Sequence, residues 1–179
     1  MDGFLATYNV FVAMEIGSRR ILHCNVTAHP TAEWATQQFR EVFADAHPYK
    51  FVIHDRDSIF SPSLDLTLND FGVRVLRTPV QEPTANAFCE RLVGTIRREC
   101  LDYLIPLNER HLRLTLKEFV AYYNQARPHS ALGPGTPEPI LASVPTSGHR
   151  HHLPLGHRIR SKSVLGGLHH DYQLETEAA

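Results

Sequence analysis

The stretch from Thr78 to Tyr103 places the strongest constraint on how this chain can fold. It opens with two prolines, Pro79 and Pro83, and then becomes a run with helical spacing. Proline is tolerated in the first turn of a helix and not deeper, so Pro83 predicts a helix entrance. From Ala87 onward the apolar residues recur at every fourth position, which predicts one buried stripe. The stripe consists of Phe88, Leu92, Ile96 and Cys100.

A polar face accompanies this stripe. Glu90 lies off the stripe, and Gly94, Arg97 and Arg98 follow it one and two helical turns later. A carboxylate, a glycine that allows close approach and two arginines therefore share one face of the helix. We interpret the helix as carrying a metal-ligating glutamate and presenting its basic side to DNA. The rest of the chain must then supply at least one further carboxylate.

Composition sets the broad class of the molecule. The chain has 179 residues, 42% of them hydrophobic, and a net charge of -1, so it has enough apolar residues for a core and is not a basic DNA-coating protein. The three cysteines have no CxxC spacing, which fits a reducing compartment. No apolar run is long enough to span a membrane. We expect a cytoplasmic protein, associated with the nucleoid when it binds DNA.

The pattern of elements predicts an α/β fold. Residues 8–16 and 21–28 predict two strands joined by a tight turn at Gly17-Ser18. The elements that follow are a helix at 31–46, a strand at 51–55, a short helix at 63–72, a strand at 73–79, the helix of Glu90 and a helix from 109 to 125. Thr31 and Asn108 are the predicted N-caps of the first and last of these helices, and Gly72 is predicted to close the short helix in the left-handed conformation. An antiparallel hairpin followed by β-α-β units predicts a mixed sheet with helices on its faces.

Two carboxylates stand out by their positions in this pattern. Asp55 ends a buried strand, and ligands collect at the carboxyl edge of α/β sheets. Glu90 lies near the start of the helix that follows the next strand. Hard divalent cations prefer carboxylate oxygens, and two such ions about 3.5–4 Å apart can catalyse phosphoryl transfer. The alternative for Asp55 is a strand-end acid that pairs with Arg56 or caps the next element.

Three motifs carry a resemblance to a known family. They are HDRDSIF at 54–60, TPVQEPTANAFCERLVGTIRREC at 78–100 and YYNQARPHSALGPGTP at 122–137. Together they resemble the retroviral-integrase-like (DDE) catalytic core of insertion-sequence transposases, over roughly residues 4–140. The resemblance implies an RNase H-like fold that binds two Mg²⁺ or Mn²⁺ ions through an Asp-Asp-Glu triad. It also implies nicking of transposon ends and joining of the 3′-hydroxyl to target DNA.

The resemblance assigns the acidic residues of the site. Asp55 matches the second aspartate of the triad and Glu90 matches its glutamate, both as catalytic residues and metal ligands. The first aspartate belongs to a strand that this chain begins too late to contain whole, so we expect a core truncated at its N-terminus. Asp2 aligns a few residues after that position and is a candidate metal ligand. Glu15 matches a place where the family often has a non-catalytic acid.

The resemblance also predicts residues that contact DNA. Asn86 matches the asparagine just upstream of the glutamate, and Arg97 and Arg98 match basic positions that meet phosphates. Arg127 belongs to the motif that follows the core, and we predict that it binds DNA as well. The expected partners are transposon ends and target DNA, together with a second copy of the chain or a full-length transposase.

Three functions stay open at this point. The first is a metal-dependent recombinase core, impaired by loss of the first aspartate. The second is a catalytically inactive transposase remnant that binds DNA. The third is hydrolysis of the ribonuclease H type, which shares fold and metals but is disfavoured by the YNQARPH motif at 123–129.

The C-terminal part differs in composition from the rest. We predict a core at residues 1–140 and a basic, histidine-rich tail at 141–179, with one hairpin around Gly166-Gly167. A cluster of histidines in this tail admits two interpretations, a zinc site or a solvated linker. Because structural zinc sites commonly include cysteines and none is near in sequence, the linker is favoured. The cluster consists of His149, His151, His152 and His157.

Overall fold

The strands and helices follow the order predicted from the sequence. The computed structural model describes residues 7–55, 57–77, 87–133, 135–138, 153 and 155–176. The N-terminal elements are β1 (Asn9–Met14), β2 (Ile21–Thr27), α1 (Ala32–Val42), β3 (Phe51–His54), α2 (Pro62–Asp70) and β4 (Arg74–Arg77). The C-terminal elements are α3 (Ala87–Glu99), α4 (Glu109–Gln125), β5 (His157–Val164) and β6 (His169–Thr176). The predicted helix entrance at Pro83 lies outside the described residues.

β1 and β2 form an antiparallel hairpin whose turn differs from the prediction. The register shifts between Ala13 and Met14, next to the turn. The backbone N–H of Glu15 donates to the carbonyl of Arg20 at 2.9 Å. The positive φ falls on Arg19, at 67°, and not on Gly17. The register shift lies before the turn, and the left-handed residue, Arg19, lies at the end of the turn that leads into β2.

β3 and β4 form a parallel pair connected through α2. Their ladder runs from Phe51 opposite Arg74 to His54 opposite Arg77. After α2, Gly72 has a φ of 78°, the left-handed conformation predicted for it, and the chain turns into β4. Within the described residues the β1–β2 and β3–β4 pairs are separate ladders. The predicted mixture of strand directions is therefore present as one antiparallel and one parallel pair.

One hydrophobic cluster lies between the strands and the helices α1 and α2. Phe11 of β1 packs edge-on against Phe39 of α1, with ring centroids 5.1 Å apart. α1 begins at the predicted cap, where the Thr31 hydroxyl accepts the backbone N–H of Trp34 at 3.1 Å. The buried members of this cluster are Phe11, Phe39, Phe43, Leu64, Leu68 and Val73.

A second cluster covers the opposite face of β1–β2. β1 alternates, so that Val10 and Val12 pack here while Phe11 and Ala13 pack in the first cluster. Of the apolar stripe predicted for α3, Leu92, Ile96 and Cys100 are buried, whereas Phe88 in the first turn is exposed, so the prediction is wrong there. It packs with the buried stripe of α4, which consists of Leu112, Leu116, Phe119 and Tyr123. β1 and β2 therefore form the middle layer between α1 and the α3–α4 pair.

β5 and β6 form a C-terminal hairpin that packs against α3 and α4. Gly166 and Gly167 both have positive φ values in its turn, at 65° and 100°. The His169 ring stacks on Tyr122 of α4, with centroids 4.6 Å apart. Its Nε2 lies 2.6 Å from the carbonyl oxygen of Glu99, at the end of α3. The turn end of the hairpin is therefore attached to both helices.

None of the helices in the described ranges combines the length and the apolar character needed to cross a bilayer.

Candidate active site

Asp55 directly follows β3 and has an exposed side chain. Its Oδ1 accepts the backbone N–H of Asp57 at 3.1 Å. This local turn, in which a carboxylate bonds the backbone two residues later, fixes the direction of the side chain. Asp57 itself accepts the backbone N–H of Ile59 at 3.0 Å and stabilises the loop.

A buried histidine anchors the strand end that carries Asp55. His54 is 6% exposed, and its Nε2 lies 3.1 Å from Oδ1 of Asp65 on α2. Asp65 in turn accepts a hydrogen bond from Nε of Arg77, at the end of β4, at 3.0 Å. These three side chains join β3, α2 and β4 at one edge. His54 therefore anchors the end of β3 to α2.

Glu90 lies in the first turn of α3 with an exposed side chain. Its neighbour Cys89 is half-buried, and burial is the main cause that raises the pKa of its thiol. The carboxylates of Asp55 and Glu90 raise that pKa further. Both acids are therefore within electrostatic range of the same thiol, although β3 and α3 are distant in sequence.

The donor chemistry of this pair fits a divalent cation. Mg²⁺ is commonly held by one or two carboxylates plus water, and Asp55 and Glu90 supply two exposed carboxylates. In the described part of the chain, no group of three or more His, Cys, Asp or Glu side chains is placed to hold a metal ion. Asp2, the candidate third ligand, lies outside the described residues. Glu15 accepts a hydrogen bond from Ser18 within the β1–β2 turn.

The exposed face of α3 carries the predicted basic residues. Arg97 and Arg98 are exposed on it, and Arg97 lies 3.5 Å from Asp102. A Cβ placed on Gly94 would approach the Arg98 guanidinium to 3.0 Å, so that side chain folds back over the glycine. Contacts of these arginines with DNA stay a prediction. Asn86 lies outside the described residues.

Arg127 is held by an intramolecular ion pair. Its Nε and Nη2 each lie 2.6 Å from an oxygen of Glu99. The hydrogen bonds from Arg127 are the main cause that lowers the pKa of Glu99. The pair ties the end of α3 to the chain that follows α4. The predicted contact of Arg127 with DNA stays a prediction, and the guanidinium already has this structural role.

The motif around Arg127 also holds the core together. Asn124 is 5% exposed, its Oδ1 accepts the N–H of Ile21 at 2.9 Å, and its Nδ2 donates to the Ile21 carbonyl at 2.9 Å. The backbone N–H of His129 donates to the carbonyl of Gly135 at 2.9 Å. Sequence reasoning missed these roles. The available signal was a polar residue, Asn124, directly beside the buried stripe of α4.

The layered α/β fold is similar to solved structures of two integrases. The fold is similar to the crystal structure of the catalytic core domain of BIV integrase, with a TM-score of 0.56, 16% identity, 72% of this chain covered and 81% of that chain. It is also similar to a simian T-cell lymphotropic virus intasome in complex with PP2A regulatory subunit B56 gamma. That match has a TM-score of 0.59, 13% identity, 93% of this chain covered and 60% of that chain.

The sequence itself matches the same kind of protein. Residues 71–137 match the family described as the integrase core domain. A comparison with curated proteins gives no match. Residues 71–137 thus match an integrase core in sequence, and the chain is similar to integrase catalytic cores in its RNase H-like fold, so the family resemblance indicated by the motifs is confirmed.

Proposed function

We propose that the protein cleaves and joins DNA strands by metal-dependent phosphoryl transfer, as the catalytic core of a transposase. The integrase-core match over residues 71–137 supports a function of the DNA-integration or transposase type. The finer proposal is supported by the two exposed carboxylates at the motif positions, Asp55 directly after β3 and Glu90 in the first turn of α3. Carboxylates of this kind are the donors that Mg²⁺ prefers in phosphoryl transfer.

In this proposal each residue has a defined task. Asp55 and Glu90 hold Mg²⁺ or Mn²⁺, with Asp2 as the further acidic ligand. A bound divalent ion stabilises the charge that develops on the transferred phosphoryl group and activates the attacking oxygen. The turn to Asp57 and the anchor at His54 keep the Asp55 carboxylate oriented, so that little rearrangement is needed when the ion binds.

The partners follow from the same chemistry. The DNA consists of the element's ends and its target, and Arg97 and Arg98 meet its phosphates on the exposed face of α3. A second copy of the chain or a full-length transposase completes the assembly. The setting is the cytoplasm, at the nucleoid when the protein is on DNA. Binding that weakens linearly in log affinity with log salt is the signature of such phosphate contacts.

Metal binding by the two acids is the direct test. We expect Glu90→Gln and Asp55→Asn each to weaken Mn²⁺ binding roughly tenfold, because each removes a charged ligand. Mn²⁺ titration followed by electron paramagnetic resonance measures the affinity. Asp45→Asn, which removes an exposed loop acid elsewhere, is the matched control. Unchanged affinity in both site variants would remove the metal role from this pair.

Activity separates the proposal from its alternative. We expect weak Mg²⁺-dependent joining of transposon-end oligonucleotides by the isolated chain, because Asp2 aligns a few residues after the first aspartate of the triad and so replaces it poorly as a metal ligand. Glu90→Gln should abolish that residual joining while circular dichroism shows an intact fold. Salt-sensitive DNA binding with no joining, and with no response to Glu90→Gln, would assign the chain to the DNA-binding remnant instead.

A further inference from the structure

A cavity of about 310 Å³ lies behind α3, between the β1–β2 turn and the loop that follows α4. It is distinct from the acidic site, since neither Asp55 nor Glu90 lines it. Its polar lining comes from three separate parts of the chain and contains three arginines and one histidine, with no carboxylate among the described residues. The polar lining consists of Arg19, Arg91, Thr95, Arg127, His129 and Ser130.

Arg19 is the most unusual residue of this cavity. Its backbone has a φ of 67°, a conformation that non-glycine residues rarely adopt. Its Nη1 is buried and has no hydrogen-bond partner in the described part of the chain. Its guanidinium carbon lies 3.9 Å above the centre of the Phe88 ring, a cation–π contact with a residue that lines the cavity. A strained backbone and an unsatisfied buried donor both cost stability, and such costs concentrate at functional sites.

The charges in the cavity are incompletely balanced. Arg127 is neutralised by Glu99, which does not line the cavity. Arg91 is exposed on α3, and the ion pairs of the described residues include neither Arg91 nor Arg19. Two positive charges therefore have no acidic partner within the part of the chain that the structure describes. Burial is the main cause that lowers the pKa of His129. The positive charges of Arg127 and, to a smaller extent, Arg19 lower it further.

We propose that this cavity binds a phosphate group, with Arg19 and Arg91 as its charged donors and the hydroxyls of Thr95 and Ser130 beside them. Arginine forks match phosphate oxygens with two parallel hydrogen bonds, which favours phosphate over a spherical anion. The cavity is larger than a bare phosphate and near the lower limit of small-molecule sites, roughly 300 Å³, so it has room for an attached sugar. A DNA backbone and a free nucleotide both present such a phosphate group. Of these two sources, only DNA depends on the proposed function.

The test uses the full 179-residue chain in metal-free, phosphate-free buffer, with inorganic phosphate as the probe. We expect saturable binding by isothermal titration calorimetry, weakened roughly tenfold in Arg19→Gly and in Arg91→Gln, because each loses a charge-assisted hydrogen bond. Glycine adopts the positive φ of residue 19 without strain, so Arg19→Gly keeps the fold. Arg91→Gln changes an exposed side chain and provides the second, independent variant. Arg40→Gln, an exposed arginine at the end of α1, is the matched control and should bind as the wild type does.

Three results would overturn the proposal. They are no saturable binding at millimolar phosphate, equal binding in both site variants and the wild type, or acetate binding as tightly as phosphate. Competition arms identify the source of the phosphate: a short DNA strand that displaces phosphate indicates the DNA backbone, and a nucleoside monophosphate that does so alone indicates a free nucleotide. The phosphate titration and the Mn²⁺ titration are separate measurements, so failure of the cavity and failure of the metal site are separate outcomes.

Discussion

At the scale of single residues, the amide of Asn124 shows how a motif residue can serve the fold. It makes two hydrogen bonds to the backbone of Ile21, one as acceptor and one as donor, both at 2.9 Å. An asparagine side chain is the smallest group that offers both functions in one plane. The amide therefore satisfies the backbone N–H and C=O groups of Ile21, the first residue of β2. Among the described strands, only β1 pairs with β2, and these two groups point away from it.

Replacing this amide should be costly. We expect Asn124→Asp to lower the free energy of unfolding by about 2–4 kcal/mol, because a carboxylate cannot donate to the Ile21 carbonyl and a buried charge is added. Urea denaturation followed by the fluorescence of Trp34, the single tryptophan, measures the change. Gln125→Ala, at the exposed neighbouring position, should change stability by less than about 0.5 kcal/mol. Equal effects at both positions would contradict the role of Asn124.

At the scale of elements, α3 links Glu90, in its first turn, to the ion pair of Glu99 with Arg127 at its end. Its buried stripe fixes it against α4, while its exposed face presents Glu90, Arg97 and Arg98. Its end is clamped by the pair of Glu99 with Arg127. Since Glu90 lies at one end and Glu99 at the other, the clamp limits rotation of the helix that carries the proposed metal ligand.

The clamp should make stability depend on pH. The folded-state pKa of Glu99 is lowered from its ordinary value of 4.5, so its contribution is complete above pH 4.5 and is lost as the pH falls through the lowered value. We expect Arg127→Gln to cost about 1–2 kcal/mol at pH 7, with the difference from wild type shrinking below pH 4.5. Urea denaturation at a series of pH values measures this difference.

The exposed ion pair of Arg160 with Glu175 is the control for the clamp. Arg160→Gln should leave stability nearly unchanged at every pH, because solvent screens an exposed pair. A cost of Arg127→Gln that stays constant down to the most acidic sample would contradict the role of Glu99.

Local signals explain how much of the fold the sequence could predict. The caps at Thr31 and Asn108 and the left-handed Gly72 are decided within a few residues, and each is where the pattern predicted it. Arg127 with Glu99 and Asn124 with Ile21 are pairs formed across the fold, which spacing along one element cannot reveal.

The candidate site follows the same rule. Asp55 and Glu90 were predicted from strand-end and helix-start positions together with the motifs. The phosphate cavity was missed, because Arg19 acquires its place through a register shift and a turn that no local pattern specifies.

At the scale of the whole molecule, β1 and β2 form the middle layer and the C-terminal hairpin lies outside α3 and α4. The hairpin contacts the core mainly at its turn end, through Val164, Leu165 and His169. The far ends of β5 and β6 are exposed. We propose that residues 1–140 act as the core unit and that 141–179 are an appendage attached at this one point.

Hydrogen exchange should distinguish the two units. We expect the amides of β5 and β6 to exchange faster than those of β1 and β2, because the hairpin has fewer buried contacts. His169→Ala removes the stacking on Tyr122 and the bond to Glu99, and should speed exchange in the hairpin alone. His170→Ala, on the exposed neighbour, is the control. Equal protection in all four strands would show that the hairpin unfolds only with the core.

The middle position of β1 and β2 has a consequence for synthesis on the ribosome. Ile21 and Val26 of β2 are covered by side chains from Leu92 to Tyr123, and the backbone of Ile21 is bonded by Asn124. One apolar face of the β1–β2 hairpin therefore stays uncovered after its synthesis until α4 has been synthesised. Folds with such distant contacts form slowly and expose surfaces that aggregate. Chaperone dependence of a nascent chain should thus end only when residues up to about 125 have emerged.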